Sequence, residues 1–82
     1  MNTKEIIQGL LTLQPYYDKP DGYHNGAGHE EFYAYATDRP LSEADVKEMI
    51  RLGWHQEYDG LNYDKDFSVA DYRTDESWVC YV

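Results

Sequence analysis

The chain is 82 residues long and carries sixteen acidic side chains against seven Lys or Arg, a formal net charge of −9. That length supports one domain, residues 1–82, with one modest core. The charge repels phosphate backbones and anionic membranes while favouring basic protein surfaces, so direct nucleic-acid binding and membrane association are not expected.

Thr3 is placed to cap a first helix, and Ile6, Leu10 and Leu13 recur at helical spacing, with Ile7 and Leu11 widening the apolar stripe. Although Ile6 to Leu13 is partly apolar, no basic region or cleavage site frames it as a signal peptide. No stretch has the length needed to span a bilayer, so the expected compartment is the cytoplasm. Gly9 weakens this helix, which implies that another element packs closely there. Pro15 ends the regular pattern or kinks its last turn.

Asp18 to His29, DKPDGYHNGAGH, reads as a loop. Glu30 to Ala36 alternates and predicts a first strand, with Phe32, Ala34 and Ala36 on one face and Glu31, Tyr33 and Tyr35 on the other. Both faces carry aromatics, so the pattern does not say which is buried. Asp38-Arg39-Pro40 stiffens the approach to the next element, with Arg39 placed to pair with Asp38 or Glu43.

The second helix has the clearest signals. Ser42 is its N-cap, Asp45 stands at the capping-box position as a shortened Glu/Gln, and Leu41 and Val46 occupy the positions of a hydrophobic staple. Val46, Met49 and Ile50 form the buried stripe, joined by Leu52, and Gly53 sits where a left-handed C-cap is wanted. Lys47 and Arg51 fall on the solvent side, toward the helix end that prefers cations.

Trp54 to Tyr58 predicts a second strand with Trp54, Gln56 and Tyr58 on one face, and Asp59 to Glu76 a long polar connection. Ser77 to Val82 predicts a third strand, with Trp78, Cys80 and Val82 facing one way. Cys80 is the one cysteine, so no intrachain disulfide can form, and a small buried hydrophobe is its expected role. The expected fold is α+β in the order α-β-α-β-β, a two-layer domain with a three-stranded sheet and helices packed against it. A right-handed parallel crossover through the second helix fits the first two strands, and an antiparallel pairing fits the last two. Exposed sheet edges leave monomer and homodimer equally open.

Two segments could carry function. His24 and His29 flank a glycine-rich loop with Asp18, Asp21, Glu30 and Glu31 nearby, a set that could hold a divalent metal, though its spacing matches no established zinc or calcium signature. GYHNGAGH lacks GxGxxG order and a Walker lysine, so its glycines read as turn residues and not as a phosphate cradle. No residue is placed to orient the histidines as an acid–base pair, so no catalytic role and no cofactor are assigned.

The other segment runs from Glu57 to Glu76, with seven acidic and two basic residues. Glu57, Asp59, Asp64, Asp66, Asp71, Asp75 and Glu76, interleaved with Tyr63 and Tyr72, are the candidate partner-binding residues. Carboxylates spaced along a surface with aromatics between them can imitate nucleic acid and engage an Arg/Lys-rich groove, the aromatics supplying short-range energy. The simpler alternative is a solubilising acidic surface whose tyrosines pack the core.

The segments LLTLQPYYDKPDGYHNGAGHEEFYAY, TDRPLSEADVKEMIRLGWHQE and DESWVCYV together resemble a group of short proteins encoded by bacteriophages and prophages. The most characteristic parts are the capped helix running into Leu52-Gly53-Trp54 and Glu76-Ser77-Trp78 in the terminal strand. The resemblance implies an inhibitor of a host defence system, such as a CRISPR effector or restriction enzyme, acting as a DNA mimic on a nucleic-acid-binding surface. It carries over no individual site residue. The runner-up is a small metal-binding or structural accessory protein that uses the His24–Glu31 loop.

Overall fold

The computed structural model describes residues 2–19, 24–28, 30–61 and 66–81. Helix α1 spans Thr3–Leu13. Its N-cap is Asn2, one residue earlier than the Thr3 expected from sequence. The Asn2 side chain accepts from the Glu5 N–H at 2.9 Å, and the Glu5 carboxylate accepts from the Asn2 N–H at 3.2 Å. This reciprocal box satisfies two of the helix's free donors, which Thr3 with Ile6 could not do. Pro15 converts the helix end into a 3-10 turn over Gln14–Tyr16.

Strand β1, Asn25–Gly28, pairs antiparallel with β2, Glu31–Ala34, which pairs antiparallel with β3, Trp78–Tyr81; the sheet order is β1-β2-β3. Helix α2 spans Glu43–Arg51 between β2 and β3. The class is α+β, with a three-stranded sheet and two helices, as the sequence implied. The chain order is corrected to α-β-β-α-β. β1 lies inside the segment read as a loop, because Asn-Gly-Ala-Gly has no apolar alternation to announce a strand. Its partner supplies the packing instead: the Tyr33 ring covers Gly26 closely enough that a Cβ there would lie 2.7 Å from it. The expected second strand, Trp54 to Tyr58, reduces to an antiparallel bridge between His55 and Val79, so no parallel crossover forms.

Helix α2 follows its signals closely. Ser42 Oγ accepts from the Asp45 N–H at 3.3 Å, and the staple residues Leu41 and Val46 are buried. Asp45 does not close the capping box itself. Tyr16, delivered by the 3-10 turn, accepts from the Ser42 N–H at 3.3 Å and donates its hydroxyl to the Asp45 carboxylate. At the other end Gly53 has φ +95°. The Gly53 and Trp54 N–H groups then return to the carbonyls of Ile50 and Met49, both at 2.9 Å. This is the paired C-terminal closure that a left-handed glycine allows.

Trp54, thereby aimed inward, centres the core with Leu13, Val46, Met49, Leu52, Trp78, Ala34 and Cys80. Its indole lies on Gly9 of α1 and donates to the Glu5 carbonyl at 3.4 Å; a Cβ on Gly9 would stand 2.1 Å from Nε1. Gly9 is therefore the point of close approach that the weakened helix implied. Phe32 meets Trp54 edge-on at 6.4 Å between ring centroids, so the Phe32–Ala34 face of β2 is the buried one. Arg39 pairs with Asp18 and donates to the Pro15 carbonyl, not to Asp38 or Glu43 as expected. Asp38 instead accepts from the Asp18 N–H at 2.7 Å, so both side chains tie the turn after α1 to the approach to α2. No helix among the described residues is long and apolar enough to cross a membrane.

Candidate functional site

The acidic segment is anchored from beneath by Gln56. The alternation that buries Trp54 buries Gln56 as well, with no exposed surface, and a buried amide must find partners. Its Nε2 donates to the carbonyls of Arg73 at 2.8 Å and Glu76 at 3.1 Å, and its Oε1 accepts from the Arg73 N–H at 2.8 Å. One side chain thus fixes the chain path from Arg73 to Glu76 immediately before β3.

Upstream, Asp71 closes a 3-10 turn over Val69–Asp71, its carboxylate accepting from the Ser68 N–H and hydroxyl, both at 2.9 Å. Tyr58 donates to the Asp71 carbonyl, and the Arg73 guanidinium lies 4.4 Å from the Tyr58 ring centroid. Tyr72 stacks on Trp78 at 5.7 Å, and its hydroxyl accepts from the Leu41 N–H at 2.9 Å. Phe67 packs on the same indole at 5.6 Å.

The nominated partner-binding residues therefore separate into groups. Asp71 and Tyr72 hold the segment's own structure. Glu76 is half-buried, with its carbonyl on Gln56. Asp59, Asp66 and Asp75 are exposed, and among the described residues none of them pairs with a lysine or arginine. Asp59 stands on a turn beside Gly60, whose φ of +93° suits glycine. Tyr63 and Asp64 lie outside the described residues.

Glu57 belongs to a grouping of which alternation gives the outward direction but not the partners. His55 and Glu57 flank Gln56 and so face away from the core. The Tyr81 hydroxyl donates to the Glu57 carboxylate, at 2.8 Å to Oε2, and His55 Nε2 lies 3.6 Å from Oε1. The His55 and Tyr81 rings are 5.4 Å apart. A link between residues 57 and 81 depends on the bridge at His55, which local sequence does not announce.

In the glycine-rich loop, the His24 ring stacks on Tyr17 with centroids 3.9 Å apart and planes nearly parallel, and its Nε2 meets the Lys19 carbonyl. The Tyr17 hydroxyl donates to the Tyr35 carbonyl at 2.6 Å; burial, reinforced by the Asp38 charge, pushes its pKa up to about 12. His29 and Asp21 lie outside the described residues. Among the described residues no three His, Cys, Asp or Glu side chains are grouped to hold a metal. Burial raises the Cys80 thiol pKa, leaving little thiolate character. The chain matches no protein family and has no significant match among curated proteins or solved structures.

Proposed function

We propose that this protein is a non-enzymatic inhibitor that acts in the bacterial cytoplasm by occupying a basic, nucleic-acid-handling surface of a host defence protein. The observation that carries the reading is the arrangement of Asp59, Asp66 and Asp75, exposed and without cationic partners among the described residues, on a segment fixed by Gln56, Asp71 and Tyr72. A carboxylate on a fixed backbone meets a cationic groove with less ordering cost than one on a floppy tail. The chain's charge of −9 adds long-range attraction toward such a groove and repulsion from nucleic acid itself. The likeness to phage-encoded proteins supplies the class of target.

Affinity capture from bacterial lysate at low salt, read by mass spectrometry, tests the reading. Recovery of a basic nucleic-acid-binding protein, lost from an Asp59→Lys, Asp66→Lys, Asp75→Lys variant, is expected. Recovery of no such protein at low salt overturns it.

A further inference from the structure

The sheet has two unlike faces. Ala34, Trp78 and Cys80 turn toward the core, whereas Tyr33 and Tyr81 point outward with Tyr35, and none of these three tyrosines belongs to the core cluster. Tyr35 is 47% exposed and Tyr81 50%, high values for rings of this size. Glu31 stands directly across from Tyr81 in the β2–β3 register, and Glu57 accepts the Tyr81 hydroxyl. The strands and the 54–58 segment contain no lysine or arginine; the chain's seven cations all lie elsewhere. The outward face thus combines π surfaces with carboxylates; among the described residues no lysine or arginine pairs with Glu31 or Glu57, and the basic side chain beside Glu57 is His55, at 3.6 Å.

From this face we infer that the protein docks an arginine-bearing segment of its partner, with guanidinium groups stacked on Tyr33, Tyr35 and Tyr81 and paired with Glu31 and Glu57. The proposal rests on the partner-binding reading above and moves the centre of recognition from the acidic segment to the sheet. Charge complementarity selects a cationic occupant, and the aromatic content selects arginine over lysine, because a guanidinium stacks on a ring face while retaining its donors for carboxylates. The chain already uses such a contact internally, where Arg73 lies on Tyr58 at 4.4 Å. The Tyr33 and Tyr35 rings lie side by side, 5.7 Å apart and tilted by 44°, and the Glu57 contact presets the Tyr81 ring. Preset rings lose little freedom on binding.

The test is a titration of the full chain with a nona-arginine and a nona-lysine peptide, followed residue by residue by NMR. Arginine peptide should bind about tenfold more tightly, the effect of roughly one to two stacked guanidiniums. Its shift changes should centre on Tyr33, Tyr35 and Tyr81. Tyr35→Ser and Tyr81→Ser, both at exposed positions, should abolish the preference for arginine. The double variant Asp66→Lys, Asp75→Lys should weaken both peptides alike and leave the preference intact. Equal affinities, no binding, or shifts confined to residues 59–76 would overturn the sheet-face proposal. The last of these leaves an acidic-segment interface standing, so the two readings fail separately. A concentration-dependent dimer that protects Tyr35 and Tyr81 would also overturn it by assigning the face to a second copy.

Discussion

Replacing Gln56 with leucine keeps most of the side-chain volume and deletes three hydrogen bonds, to the Arg73 carbonyl, the Glu76 carbonyl and the Arg73 N–H. The Arg73 carbonyl retains a long contact from the Glu76 N–H at 3.5 Å, so the main cost falls on the other two groups. A buried polar group stranded in this way costs about 1–3 kcal/mol. Two of them cost about 4 kcal/mol, and the added apolar burial of leucine offsets about 1 kcal/mol. A net loss of about 3 kcal/mol is expected, large beside the roughly 4–12 kcal/mol typical for this chain length. Urea unfolding read by the fluorescence of the buried Trp54 and Trp78 measures it as a lower midpoint with an unchanged slope. Amide exchange should quicken first at Arg73. A loss below about 1 kcal/mol, or an Arg73 amide no more exposed than its neighbours, would refute the role given to Gln56.

Gly9→Ala gains about 1 kcal/mol of helix propensity, but its Cβ would stand 2.1 Å from the Trp54 indole nitrogen. Trp54 is packed on all sides, so an overpacking cost of about 1–3 kcal/mol is expected to win; a higher melting temperature would contradict the packing. Tyr17→Phe should lose the hydrogen bond to the Tyr35 carbonyl, and with it about 1 kcal/mol at neutral pH. The Tyr17 pKa is raised to about 12 from 10.0. Its pH-linked contribution to stability is therefore complete below pH 10 and is lost as pH rises through 12. Alkaline denaturation of Tyr17→Phe should accordingly show a shallower pH slope between those values. Asp66→Lys with Asp75→Lys should leave the unfolding free energy from urea titration within about 0.5 kcal/mol of the parent. The same variant should weaken capture of the basic partner and reduce its salt dependence.

Local sequence disclosed much of what local physics decides, the Asn2 cap of α1 and the Ser68–Asp71 turn excepted. The cap, staple and left-handed glycine of α2 all act within a few residues, and the inward faces of Trp54–Gln56 and Trp78–Cys80 follow from alternation. β1 was hidden because its stability comes from Tyr33 across the hairpin and not from its own glycines. The 54–58 segment alternates like a strand, yet the chain turns away after the bridge at His55. Tyr58 goes to the Asp71 carbonyl, and the Leu61 N–H returns to the Tyr58 carbonyl at 3.2 Å.

The acidic segment was legible as charge but not as structure. Asp71 looked equivalent to Asp66 until Ser68 captured its carboxylate, and Tyr72 looked like an exposed anchor until its hydroxyl met Leu41. Contacts between residues far apart in the chain set both outcomes for Tyr72 and for the His55–Glu57–Tyr81 group. Periodicity carries no record of such contacts.

Competition for the captured partner tests the central claim most directly. The partner, loaded with a labelled nucleic acid that it binds, is titrated with this protein at two salt concentrations. Stoichiometric displacement of the nucleic acid, weakening steeply as salt rises, is the predicted result. A stable ternary complex, with this protein and nucleic acid bound together, would contradict occupation of a shared basic surface.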